Sequence, residues 1–150
     1  MRGLLDVNLL IALLDLEHPA SDAVHRWLAQ WRDGIATCPI VENGAVRIMS
    51  QPAYAQGGPA LRPGDIVQRI ARMKQTAQDI VFWPDAISLA DSERFDPASI
   101  HGARQVIDIY LLGLAVANDA SLVTLDRHIP LRTVRGAQAK HLTTDRKSVV

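Results

Sequence analysis

The chain has 150 residues, enough for one domain with a substantial core and too few for two of ordinary size. Its 48% hydrophobic and 21% charged residues are ordinary for a soluble globular protein, and 16 basic residues offset 16 acidic ones, so global charge does not advertise a nucleic-acid partner. The single cysteine, Cys38, excludes an intrachain disulfide and a cysteine-built metal cluster. The apolar runs are too short or too charged to span a bilayer, and no signal peptide stands out, so a reducing cytoplasm is the expected compartment.

In chain order, Gly3 to Asp6 reads as a buried strand and Val7 to Leu14 as a short helix that Asp6 can cap. An amphipathic helix follows from about Pro19 to Arg32, with Ala20, Ala23, Val24, Trp27, Leu28 and Trp31 on one face. Ile35 to Thr37 is a brief strand, and Pro39 opens a helix that runs to about Ser50 with Glu42 in its first turn. Gln51 to Gly64, with three prolines and three glycines, reads as a loop and a candidate lid. Helix is expected over Asp65 to Lys74, a strand over Asp79 to Trp83, a short helix over Ala86 to Asp91 and irregular chain over Phe95 to His101. A patterned helix from about Ala103 to Asn118 should pack through Ile107, Tyr110, Leu111, Leu114 and Asn118, before a strand at Ser121 to Leu125 and a last one near His141 to Thr143. Strands alternating with helices predict a parallel sheet covered on both faces, in one domain over residues 1–145 with a frayed tail at 146–150.

The chemistry lies in four acids. Leu4-Leu5-Asp6 and Leu122-Val123-Thr124-Leu125-Asp126 are both apolar strands that stop at an aspartate. In open parallel sheets the carboxyl ends of strands are where ligands bind. Asp108 is the only charge between Val106 and Ala117, and an ionised carboxylate there is costly unless something positive offsets it. If Asp6, Glu42, Asp108 and Asp126 converge, each close pair costs about 4 kcal/mol at an effective dielectric near 20. A divalent cation removes that repulsion, and hard oxygen donors favour Mg²⁺ or Mn²⁺ over Zn²⁺. Each acid also has a plainer role: Asp6 as a helix cap, Glu42 as a complement to a helix dipole, Asp126 as the opening of a turn, Asp108 as a partner of Arg104. Charge is unevenly spread as well. Gln75 to Asp126 holds eight acids and two bases, and Arg127 to Lys147 six bases and one acid, which suits an acidic pocket beside a phosphate-attracting surface or merely scattered solvated faces.

With these acids in order, the chain resembles the PIN-domain ribonucleases, and in particular the VapC toxins of bacterial toxin–antitoxin pairs. Leu5-Asp6-Val7-Asn8-Leu9-Leu10-Ile11-Ala12-Leu13-Leu14 looks like the family's opening motif, Thr37-Cys38-Pro39-Ile40-Val41-Glu42-Asn43-Gly44 like its second, Asp108-Ile109-Tyr110-Leu111-Leu112-Gly113-Leu114-Ala115 like its third, and Leu122-Val123-Thr124-Leu125-Asp126 like its fourth. The resemblance implies a three-layer α/β/α sandwich with a mostly parallel sheet and a Mg²⁺- or Mn²⁺-dependent endoribonuclease site. It implies Asp6, Glu42, Asp108 and Asp126 as catalytic residues and metal ligands, some through water, with Asn8 and Thr124 orienting them by hydrogen bonds. It also implies a homodimer, a cognate antitoxin and a structured or coding RNA substrate, often tRNA. Between the second and third motifs the match is loose, so no substrate-reading residue carries over.

The reaction expected is metal-assisted hydrolysis of an RNA phosphodiester, with Glu42 binding a second metal or orienting the attacking water. Arg127, His128, Arg132 and Arg135, just past the last motif, are candidates to hold the RNA backbone. Two other readings stay open. One is a phosphatase or phosphotransferase with Asp6 as nucleophile, although the second aspartate of such sites is here Asn8. The other is a non-catalytic module that binds metal and RNA.

Overall fold

The computed structural model describes residues 1–77 and 79–144; the tail expected at 146–150 lies outside the described residues. Among the described residues five short strands, β1 (Gly3–Leu5), β2 (Ile35–Thr37), β3 (Ile80–Phe82), β4 (Ser121–Thr124) and β5 (Leu142–Thr144), form a sheet in the order β3-β2-β1-β4-β5. Every pairing in it is parallel. The three central strands are buried at each residue, so they read as unbroken small or apolar runs rather than alternating ones, as a sheet covered on both faces requires.

Among the described residues five α-helices cover it: α1 (Val7–Leu14), α2 (Ser21–Gln30), α3 (Pro39–Met49), α4 (Pro63–Thr76) and α5 (Val106–Ala117). Given this order, the right-handed rule for parallel crossovers puts α1 to α4, which carry the chain from β1 to β2 to β3, on one face, and α5, which returns it from β3 to β4, on the other. Helix α1 packs on α2, α3 and α4, while α5 packs on β1 and β4. The α/β/α sandwich expected from the sequence is the fold observed. Helices α1 and α3 meet at Gly44, where an added Cβ would stand 3.0 Å from Val7 Cγ2; this close approach sets α3, and Glu42 on it, beside the start of α1.

Several elements differ from the expectations. Ala86 to Asp91 is not helical: residues 81–90 alternate between half-buried and exposed, as an extended chain does when every second side chain faces the core. Asp85 explains part of this, because its Oδ2 accepts a hydrogen bond from the Ile40 N–H at 3.2 Å, which ties the segment to the N-terminus of α3. The loop Gln51 to Gly64 contains a 3₁₀ turn, Pro52–Ala55, and α4 begins inside it at Pro63, since proline suits a first helical position. Ala103–Gln105 is a 3₁₀ turn before α5. That helix is buried from Ile109 to Ala115 while Ile107 is 43% exposed, so the expected single packing face is corrected to a helix covered nearly all round. Phe95 supplies the outer cover, lying so close that a Cβ on Gly113 would stand 2.3 Å from its Cζ. Among the described residues no helix is long and apolar enough to cross a membrane.

Candidate active site

The strand order reverses at β1, which has β2 on one side and β4 on the other. That switch point is where an open parallel sheet leaves a crevice beyond its strand ends. Asp6 follows β1 directly, and Asp126 stands two residues beyond β4. Asp6 is 2% exposed and both of its oxygens are engaged: Oδ1 accepts from the Leu9 N–H at 2.7 Å, capping α1, and Oδ2 accepts from the Thr124 hydroxyl. The Thr124 Oγ1 in turn accepts from the Asp126 N–H at 2.9 Å. One buried hydroxyl thus joins the two strand-end acids. Asp126 also accepts from the His128 N–H at 2.8 Å through Oδ1, so the turn-opening role holds beside any other.

Asp108 lies in the first turn of α5, half-buried. Among the described residues it has no ion-pair partner, which corrects the alternative that Arg104 neutralises it. Burial, then the charge of Asp126, raises its pKa from 3.8 to about 6. Asp6 is likewise raised from 3.8 to about 6, by burial first, with Thr124 and the Leu9 N–H opposing and Asp108 and Asp126 adding repulsion. The three aspartates therefore share one field at the switch point.

Glu42 is held differently. Its Oε2 accepts from the Thr37 hydroxyl at 2.6 Å and from Lys74 Nζ at 2.9 Å, so its charge is met locally. Neither partner was singled out from the sequence. Thr37 ends β2 as Thr124 ends β4, each donating to an acid, and that repeated strand-end threonine was the available signal. Lys74 gave none, since a lysine near the end of an amphipathic helix is usually only solvated. Asn8 is exposed on α1 and makes no hydrogen bond to any of the four acids. Arg127, His128 and Arg132 are exposed beyond Asp126. Arg135 is also exposed but engaged: its Nε donates to the Ser92 carbonyl at 2.7 Å, and Asp96 stands 4.0 Å away.

The donor set suits a hard divalent cation, being all carboxylate, with two members whose protons a cation would displace near pH 6. Among the described residues, however, no group of three or more Asp, Glu, His or Cys side chains is arranged to hold a metal ion as it stands. The expected convergence of all four acids is thus not preformed: Asp6 feels the charges of Asp108 and Asp126, Asp108 feels that of Asp126, and Glu42 is tied to Lys74. Repulsion between like charges favours such an open arrangement in the absence of a counter-charge. Each Asp6 oxygen already accepts one hydrogen bond in a buried setting, which disfavours its attack on phosphorus but leaves each oxygen a second lone pair for a cation.

Residues 3–135 match the family model described as PIN domain. Ribonuclease VapC44 of Mycobacterium tuberculosis is 40% identical over 145 residues, covering 96% of this chain and 99% of its own. Ribonuclease VapC29 of the same organism is 40% identical over 126 residues, or 84% of this chain and 86% of its own. Among solved structures, that of Mycobacterium tuberculosis VapC20, described as a sarcin–ricin loop cleaving toxin, superposes with a TM-score of 0.58 over 85% of this chain and 92% of that one. At 10% identity that likeness speaks for the fold alone. With the fold, the four motifs and relatives matched almost end to end, this chain belongs to the PIN-domain family and, within it, to the VapC ribonucleases.

Proposed function

We propose that this protein is a divalent-metal-dependent endoribonuclease, the toxin of a toxin–antitoxin pair, acting in the cytoplasm on a structured RNA such as a tRNA. The observation that carries the reading is the coupled trio Asp6, Asp108 and Asp126 at the sheet's switch point, two of them with pKa values near 6 and none with an ion-pair partner among the described residues. The names of the relatives support the same chemistry. A cognate antitoxin and a homodimer belong to the proposal as partners.

Asp6, Asp108 and Asp126 would hold Mg²⁺ or Mn²⁺, which when bound supplies stabilisation of the charge that develops on the phosphate and lowers the pKa of water. The chain's own part is to keep these groups in place. Thr124 and the Leu9 N–H fix the Asp6 carboxylate, and the Thr124 hydroxyl with the turn at Asp126 fixes the other strand-end acid. Glu42, on the adjacent helix, accepts a hydrogen bond from the attacking water or serves a second ion. The exposed Arg127 and Arg132 would neutralise backbone phosphates beside the acids, with His128 exposed next to them as a hydrogen-bonding side chain.

The test is Asp108→Asn, with RNA cleavage and Mg²⁺ affinity measured together. Loss of cleavage by about a hundredfold or more with weakened metal binding is expected. Retained cleavage refutes the assignment, and metal binding by the wild type without any cleavage points to a non-catalytic module.

A further inference from the structure

The nuclease reading gives Lys74 no role, yet this lysine is fixed at both ends of its ammonium. It lies in the last turn of α4, its Nζ 2.9 Å from Glu42 Oε2 and 4.4 Å from the centre of the Phe82 ring at the end of β3. Thr37 donates to the same carboxylate oxygen at 2.6 Å. Oε2 thus carries two donors, and among the described residues nothing donates to Oε1. The Lys74 and Glu42 side chains are only 32% and 18% exposed, and they close one end of a groove of about 270 Å³ between α3 and α4. A lysine serving solubility alone keeps its rotamer freedom; this one has given it up to a ring and a carboxylate.

The arrangement divides the acids into two sets. Asp6 and Asp108 feel Asp126, whereas the charge of Glu42 is offset within its own pair. For Glu42 to join the aspartates through Oε2, the lysine and the threonine would both have to let go. Building on the nuclease reading, we propose that Lys74 is a positioning residue for Glu42: together with Thr37 it clamps Oε2, leaves Oε1 to accept a hydrogen bond from the attacking water, and keeps Glu42 out of the ligand set made by the aspartates. Arginine can grip the same oxygen, although its fork does not reproduce the point charge of an ammonium.

Four variants of the protein test this, with Asp108→Asn as the reference for a lost ligand: Lys74→Met, Lys74→Arg, Glu42→Gln and the Glu42→Gln/Lys74→Met double, each read by Mg²⁺ calorimetry, thermal unfolding and cleavage kinetics. Lys74→Met and Glu42→Gln should bind Mg²⁺ within about threefold of wild type, while Asp108→Asn binds about tenfold or more weakly. Lys74→Met should lower kcat by about tenfold or more with little change in KM, Lys74→Arg should recover most of it, and the double should be no slower than Glu42→Gln alone. Tighter Mg²⁺ binding in Lys74→Met, or a tenfold loss in Glu42→Gln, overturns the proposal by making Glu42 a ligand that the lysine holds back. Additive losses of activity, with a salt dependence shallower by about one charge, overturn it in favour of a phosphate contact. An unchanged kcat in Lys74→Met also overturns it. If the wild type cleaves no RNA the nuclease reading itself falls, and the melting temperatures still decide on the clamp: non-additive shifts in the double support it and additive shifts refute it.

Discussion

Thr124 is fully buried and its hydroxyl does two jobs, donating to Asp6 and accepting from the Asp126 backbone. Valine has nearly the same shape without the hydroxyl, so Thr124→Val would leave a carboxylate oxygen and an N–H without their partner in a dry setting. A loss of about 1–3 kcal/mol in urea unfolding is expected. Mg²⁺ binding should weaken by about tenfold, as when the supporting shell of a metal site is removed. Thr124→Ser should restore most of both, and a Val variant with wild-type affinity would show that the hydroxyl does not organise the acids. At this scale the sequence was informative where a residue announces its own cost, as Asp108 does among apolar neighbours. It was silent where the partner decides. Lys74 and Asp85 matter because of Glu42, 32 residues away, and Ile40, 45 residues away, and no local pattern encodes such pairs.

Among the elements, the buried strands were legible as short apolar runs and the amphipathic helices by the period of their one buried face. The run Ala86 to Asp91 was not, since its composition permits a helix, whereas the hydrogen bond from Ile40 to Asp85 and the packing of Ile87 and Leu89 on the core favour an extended path. Helix α5 shows a related limit: a helix buried on nearly all sides has no single face to read. Gly113 turns this into a prediction. Alanine favours helix over glycine by about 1 kcal/mol, so Gly113→Ala would stabilise an exposed helix. Here the added methyl would meet Phe95 Cζ at 2.3 Å, and Phe95 is fully buried with its ring stacked on Tyr110 at 6.5 Å. Net destabilisation by about 1–3 kcal/mol is expected from thermal or urea unfolding. A neutral or stabilising result would mean that Phe95 does not cover α5 as described.

The whole molecule gathers at one sheet edge acids that are far apart in the chain, and there the topology, not any motif, does the concentrating. Alternation of elements implied a parallel sheet, but not the order β3-β2-β1-β4-β5 that sets Asp6 and Asp126 on either side of the switch point. Concentrated charge costs stability in a way that pH exposes. Asp6 and Asp108 both rise from 3.8 to about 6, mainly through burial, so the folded chain holds these protons more tightly than the unfolded one. Their contribution thus favours folding in full below about pH 4 and is lost as pH rises through about 6; for buried Asp6 the loss is on the order of 3 kcal/mol. Without metal, wild type should therefore lose stability relative to Asp108→Asn between pH 5 and 7.5, because the amide carries no charge at either. Divalent cations bind the ionised carboxylates, so saturating Mg²⁺ should raise the melting temperature strongly at pH 7.5 and little at pH 5, with protons released on binding near pH 6. Parallel melting curves at the two pH values, with and without Mg²⁺, decide the matter. An equal Mg²⁺ effect at both, or none at pH 7.5, would show that these buried carboxylates are not where the cation binds.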